Sequence, residues 1–194
     1  MECEPGMSQI RSFIAIELPL LIKSSIEEIQ NKLKSSTADI RWVRPEGIHL
    51  TLKFLGNIEE EKILKISDLV KQCASDITSF PLTVRTLGAF PNEKNPKVIW
   101  VAASDDSGNL GKLQQTLENR LSSMGFKVEK RAFSPHLTLG RLKSSKGKRE
   151  LINNLADHKQ LECGTFEAQE VCLFKSELKP RGAIYTKLKV FPLQ

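Results

Sequence analysis

The chain has 194 residues, 40% hydrophobic and 27% charged, with 29 basic against 23 acidic side chains and a net charge of +6. That composition supports an ordinary globular core, and the basic excess suits a polyanionic partner such as nucleic acid as well as it suits a merely basic enzyme. No apolar run approaches the roughly 20 residues of a membrane helix, and the four cysteines are scattered without the spacing of a zinc site.

The opening MECEPGM is acidic and short and does not read as a signal peptide. A cytoplasmic protein with reduced thiols is expected, with a disordered tail over residues 1–7 and a single domain over 8–194. In chain order, residues 12–18 (SFIAIEL) read as a short buried strand. A helix follows over about 20–35, with Ile22, Ile26, Ile29 and Leu33 on one face. Residues 40–43 and 48–55 read as a short and a longer strand. Asn57, with Glu60 three residues on, resembles the start of a second helix whose inner face carries Ile63, Ile66, Val70 and Cys73. A strand over 80–90 closes the first half.

The second half repeats the order. A strand over 98–103 leads to a helix over 108–124 that buries Leu110, Leu113, Leu117 and Leu121, with Gly125 placed for a left-handed turn after it. FKVEK (126–130) reads as a short strand, HLTLGRL as a longer one, and 150–156 as a helix. Strands over 166–176 and 183–191 finish the chain. Each half therefore predicts β-α-β-β-α-β in an α+β protein, an internal duplication with little identity outside one repeated word.

That word is His-Leu-Thr-Leu, starting at His49 and again at His136, 87 positions apart, in a chain with three histidines. On a strand, residues i and i+2 project to one face, roughly 6.5–7 Å apart. His49 and Thr51 thus share a face, as do His136 and Thr138, while the leucines set the register from the other side. Two strands related by a pseudo-twofold axis would aim both pairs into one cleft. Two imidazoles can act there as general base and general acid near neutral pH. The threonine hydroxyls can donate to phosphate oxygens, and Arg141 can add a bidentate grip. By simple alternation Arg141 and Phe54 point with the leucines. They reach the cleft only if the strands break or bulge near Gly140 and Lys53.

Other features have weaker readings. A two-histidine metal site lacks a carboxylate at matching spacing, so neither metal nor cofactor is expected. His158 reads as a solvated helix end, Trp42 as core, and Phe90-Pro91 as a strand end and turn. Lys143, Lys146, Lys148 and Arg149 form a basic loop that either steers RNA or merely solubilises. Arg41 and Arg44 of RWVR pose the same choice.

Beyond the motifs, the segments RSFIAIELP, RWVRPEGIHLTLKFLG, GAFPNEKNPKVIWVA, FSPHLTLGR and LFKSEL with the later GAIY resemble, in order, those of the 2H phosphoesterases. Within them the chain is most similar to the LigT-like RNA 2′,3′-cyclic phosphodiesterases, also described as 2′-5′ RNA ligases. The resemblance spans nearly residues 8–194. It implies a bilobal fold of antiparallel sheets backed by helices, with the motifs facing each other across a groove. It also implies metal-independent opening of a 2′,3′-cyclic phosphate at an RNA end to a 2′-phosphate. His49 would protonate the departing 3′ oxygen and His136 would activate water. Thr51, Thr138 and Arg141 would hold the phosphate, and Phe54 would pack on the terminal base. The same acid–base pair can run 2′-5′ ligation or cleave a small cyclic nucleotide. A non-catalytic RNA- or nucleotide-binding module is a third reading, although binding alone needs no matched imidazole pair. A complete site within one chain predicts a monomer.

Overall fold

Apolar residues three and four apart turn one face of each helix inward. In α1 (Leu20–Leu33) these are Ile22, Ile26, Ile29 and Leu33; in α2 (Lys62–Ser75), Ile66, Val70 and Cys73; in α3 (Asn109–Ser123), Leu110, Leu113, Leu117 and Leu121; all are buried. A shorter helix, α4 (Lys148–Asp157), buries Leu151 and Leu155. The computed structural model describes residues 9–180 and 182–194, so the tail expected over 1–7 lies outside the described residues.

The strands are β1 (Gln9–Glu17), β2 (Ile40–Trp42), β3 (His49–Glu59), β4 (Phe80–Phe90), β5 (Val98–Ser104), β6 (His136–Leu142), β7 (Glu162–Ala168), β8 (Glu170–Lys179) and β9 (Gly182–Pro192). They form two antiparallel sheets, in the orders β3-β1-β8-β9 and β2-β6-β5-β4-β7. Strands cross between the halves. β4 of the first half pairs with β5 and β7 of the second, and β8 of the second pairs with β1 of the first. One hydrophobic core runs through both sheets as a result. The motif strands β3 and β6, one from each sheet, lie against each other.

Three local expectations are corrected. Asn57 is not a helix cap: it pairs with Arg11 inside the β1–β3 ladder, and α2 begins only at Lys62. Ladder hydrogen bonds extending β3 to Glu59 outweigh the local capping signal. Residues 126–130 form no strand; buried side chains satisfy their backbone instead, as Lys127 O accepts from Lys53 Nζ at 2.7 Å and Glu129 N donates to Glu118 at 2.8 Å. The run over 166–176 is two strands in different sheets, divided at Gln169. Gly125 does adopt the expected left-handed conformation, at φ 89°.

The Lys53–Glu118 pair is the one ion pair buried at both ends among the described residues, at 2.6 Å. Removing one partner strands a charge in the interior. Lys53→Met should therefore cost about 3–5 kcal/mol in urea unfolding. The Lys53→Met, Glu118→Leu double variant should be more stable than the single, because no unpaired charge is left. Equal stability of the two would assign the loss to packing.

Candidate active site

The two motif strands share an irregularity at the same point. Between β1 and β3 the register passes from Ala15 opposite Thr51 to Ile14 opposite Lys53, leaving Leu52 as the extra residue. Between β5 and β6 it passes from Trp100 opposite Thr138 to Ile99 opposite Gly140, leaving Leu139 extra. Each bulge reverses the alternation beyond it. Leu52 and Lys53 are both buried and Phe54 is 66% exposed; Leu139 and Gly140 are both buried and Arg141 is exposed. Phe54 is thereby turned to the face of His49 and Thr51, and Arg141 to that of His136 and Thr138.

Each bulge is held from behind. Gln30 of α1, itself buried, donates from Nε2 to Leu139 O (2.9 Å) and to Val43 O (2.8 Å), and Val43 N donates to Leu139 O at 2.9 Å. Behind the first motif the Lys53–Glu118 pair of α3 takes that place. Gly140 is needed for the second arrangement, since a Cβ there would stand 2.7 Å from Ile40 and 3.0 Å from Trp42. Trp42 packs against the core, as expected.

The imidazoles are pinned alike. His49 Nδ1 lies 2.9 Å from Gly47 O, and His136 Nδ1 lies 2.7 Å from Ser134 O, in each case the carbonyl two residues earlier. A carbonyl only accepts, so Nδ1 carries the proton and Nε2 is left for proton transfer. The Thr51 and Thr138 hydroxyls are half-buried and make no hydrogen bond among the described residues. Aromatic rings complete each half. Phe13 stacks on His49 at 4.5 Å, and Tyr185 meets it edge-on at 4.9 Å. Phe90 meets His136 edge-on at 4.9 Å, and Trp100 lies 6.3 Å away. Among the described residues no three His, Cys, Asp or Glu side chains gather as a metal site.

The family model described as LigT like Phosphoesterase matches the chain twice, over residues 16–100 and 101–185. The chain belongs to this family. Its LigT-like relatives include proteins named RNA 2′,3′-cyclic phosphodiesterase. That of Methanothermobacter thermautotrophicus is 34% identical over 185 residues, 95% of this chain and 100% of that protein. That of Methanocaldococcus jannaschii is 36% identical over 182 residues, 93% of this chain and 99% of that one. Among solved structures, a Thermus thermophilus protein superposes with a TM-score of 0.81 at 28% identity, over 95% of this chain and 98% of that one. E. coli LigT complexed with 3′-AMP superposes with a TM-score of 0.77 at 25% identity, over 96% and 99%. The two LigT-like matches each contain one His-Leu-Thr-Leu, which accords with the duplication.

Within this LigT-like frame the two histidines have unequal surroundings. Burial against Phe13, Phe174 and Tyr185 pushes the His49 imidazole down to about 4; the Gly47 carbonyl and Glu17 oppose this and Lys23 adds to it. Burial raises the Tyr185 phenol, against the pull of the Arg141 and Arg11 guanidiniums. Arg141 of the second sheet therefore acts on a ring that touches His49 of the first. His158 stands apart, closing α4 through Nδ1 and Asn154 O.

Five ring residues escaped the reading of the motifs: Phe13, Phe90, Trp100, Phe174 and Tyr185. Phe13 and Trp100 stand 87 positions apart, the same offset as the histidines, and extending the repeat would have found them. Gly88 makes room for Trp100, whose ring occupies the space of any Cβ there. The low His49 pKa has a consequence for stability. The unfolded imidazole titrates near 6.5, so between about 6.5 and 4 the unfolded chain binds the extra proton. Stability should thus fall as pH drops through that window, by on the order of 3 kcal/mol, and level off below it. Urea unfolding at pH 7 and at pH 4 should show this slope flattened in His49→Asn; an unchanged slope would assign it to other groups.

Proposed function

We propose that this protein hydrolyses 2′,3′-cyclic phosphate ends of RNA to 2′-phosphate ends without a metal, by a two-histidine acid–base mechanism. The observation that carries the reading is the pair of matched motif strands, each presenting Nε2 of a histidine whose Nδ1 is pinned by a backbone carbonyl. Family membership and the names of the relatives support the substrate class, and the 3′-AMP bound by E. coli LigT is a nucleotide with its phosphate on the ribose.

In this mechanism the cyclic phosphate lies between the two half-sites. Thr51 and Thr138 donate to its non-bridging oxygens, and Arg141 offsets its charge. Neutral His136 takes a proton from water at Nε2 as the water attacks phosphorus. Protonated His49 gives one to the departing 3′ oxygen, leaving phosphate on the 2′ oxygen. His49 is held neutral by its apolar surroundings until an anion arrives. The phosphate charge beside Nε2 then favours the imidazolium and raises its pKa. Phe54, beside Phe13 at 6.1 Å, gives the terminal base an exposed ring to stack on. The loop carrying Lys143, Lys146, Lys148 and Arg149 adds a basic rim for RNA. Both half-sites come from one chain, which supports a monomer. Among the described residues no helix is long and apolar enough to cross a membrane. The buried free thiols of Cys73, Cys163 and Cys172 support a reducing, cytoplasmic location.

Incubation with an oligoribonucleotide ending in a 2′,3′-cyclic phosphate, in excess chelator, should give a 2′-phosphate product. Loss of turnover in chelator, or a 3′-phosphate product, would overturn the reading, and a longer product would indicate ligation. His49→Ala and His136→Ala should each lower kcat about 10²–10⁴-fold with the fold intact. Because substrate raises the His49 pKa, the alkaline limb of the kcat profile should lie at higher pH than that of kcat/KM. Coincident limbs would remove His49 from the acid role.

A further inference from the structure

Arg41 and Arg141 are directly opposite each other in the β2–β6 ladder. Directly opposed residues of antiparallel strands project to the same face, with Cβ atoms about 4.5–5.5 Å apart, and like charges placed so repel. A guanidinium cannot relieve this by losing its proton. Neither arginine makes an ion pair among the described residues, and both are exposed. The Arg41 side chain crosses to the other sheet: its Nη2 donates to Pro180 O at 3.1 Å, in the turn between β8 and β9. Ile40 and Trp42 on either side of it pack against the core. Arg41 is thus the residue of β2 presented to the motif face.

The order of groups outward from the histidine is His136 and Thr138, then Arg141, then Arg41 on the edge strand β2. Arg141 is committed to the reacting phosphate in the reading above. A second cation beside it, one strand further out and without a carboxylate, calls for a second anion at a fixed distance from the first. In an RNA end, that anion is the phosphodiester linking the terminal nucleotide to the one before it; a nucleoside 2′,3′-cyclic phosphate lacks it. We propose that Arg41 forms a second phosphate subsite, for the penultimate phosphodiester, and that it makes the enzyme prefer RNA ends over cyclic mononucleotides. This rests on the phosphodiesterase reading. On binding, Arg41 exchanges the neutral Pro180 carbonyl for a charged phosphate, a stronger acceptor.

The test pairs Arg41→Gln with a chemical change in the substrate. Three substrates share the same terminal cyclic nucleotide: the mononucleotide, a tetranucleotide, and a tetranucleotide whose penultimate linkage is a neutral methylphosphonate. In the wild type the ratio of kcat/KM for tetranucleotide over mononucleotide should fall about tenfold when that one linkage is neutral. Arg41→Gln should lower the ratio by a similar factor with the natural tetranucleotide. It should cause no further loss with the methylphosphonate. The salt dependence of tetranucleotide binding should weaken by about 0.7 in log–log slope, one phosphate contact. Equal loss of kcat/KM on mononucleotide and tetranucleotide would make Arg41 a support for Arg141 and overturn the subsite. Losses that multiply when both changes are combined would overturn it as well. Anisotropy with the same tetranucleotides ending in 2′-phosphate reads the subsite independently of turnover. A wild type that binds them with the expected charge dependence but opens no cyclic phosphate would refute the activity and leave the subsite standing.

Discussion

A bulge at the same point of each motif strand governs where the site's side chains go. A strand alternates strictly, so without the bulges at Leu52 and Leu139, Phe54 and Arg141 would point into the core and Lys53 would point out of it. The bulges are not left to the strands alone. A buried polar side chain from a helix grips each one, Gln30 of α1 at the second motif and Glu118 of α3, through Lys53, at the first. Buried polar groups are costly unless paired, and the hydrogen bonds of Gln30 Nε2 and Lys53 Nζ hold this register against its neighbours.

The two half-sites are alike in plan and unlike in environment. Both imidazoles are fixed through Nδ1 to the carbonyl two residues before, and both have an edge-on ring at 4.9 Å. Behind His49, however, Phe13 and Phe174 continue the stack at 5.2 Å, whereas behind His136 the place of Phe13 is taken by Trp100 lying over Gly88. Two copies of one residue thus stand in different surroundings, and the apolar stack around His49 disfavours its charged form. The duplication is exact in the motif and imperfect around it.

The exchange of strands ties the halves together. Because β4 lies in the second sheet and β8 in the first, neither half can complete its sheet without the other. The same exchange brings Phe90 of β4 to His136, and Phe174 of β8 to Phe13 beneath His49. Half-site geometry and global topology are one arrangement seen at two scales.

Sequence alone was enough for the family and for the α+β plan. The repeated His-Leu-Thr-Leu, its period of two and the order of apolar helices are local properties, and local residues decide them. The need for a break near Lys53 and Gly140 was legible too, because Phe54 and Arg141 had the wrong parity. What the local pattern could not convey was set by partners far away in the chain. Asn57 has a capping side chain, but β1 claims it for the ladder. Residues 126–130 have strand-like alternation, yet the Lys53–Glu118 pair satisfies their backbone. The run over 166–176 passes from one sheet to the other without a strong turn signal. The aromatic enclosure of His49, the approach of Arg141 to Tyr185 and the pairing of Arg41 with Arg141 all depend on register between strands distant in sequence. Burial and cross-strand register are properties of the assembled sheets, and tertiary structure alone decides them.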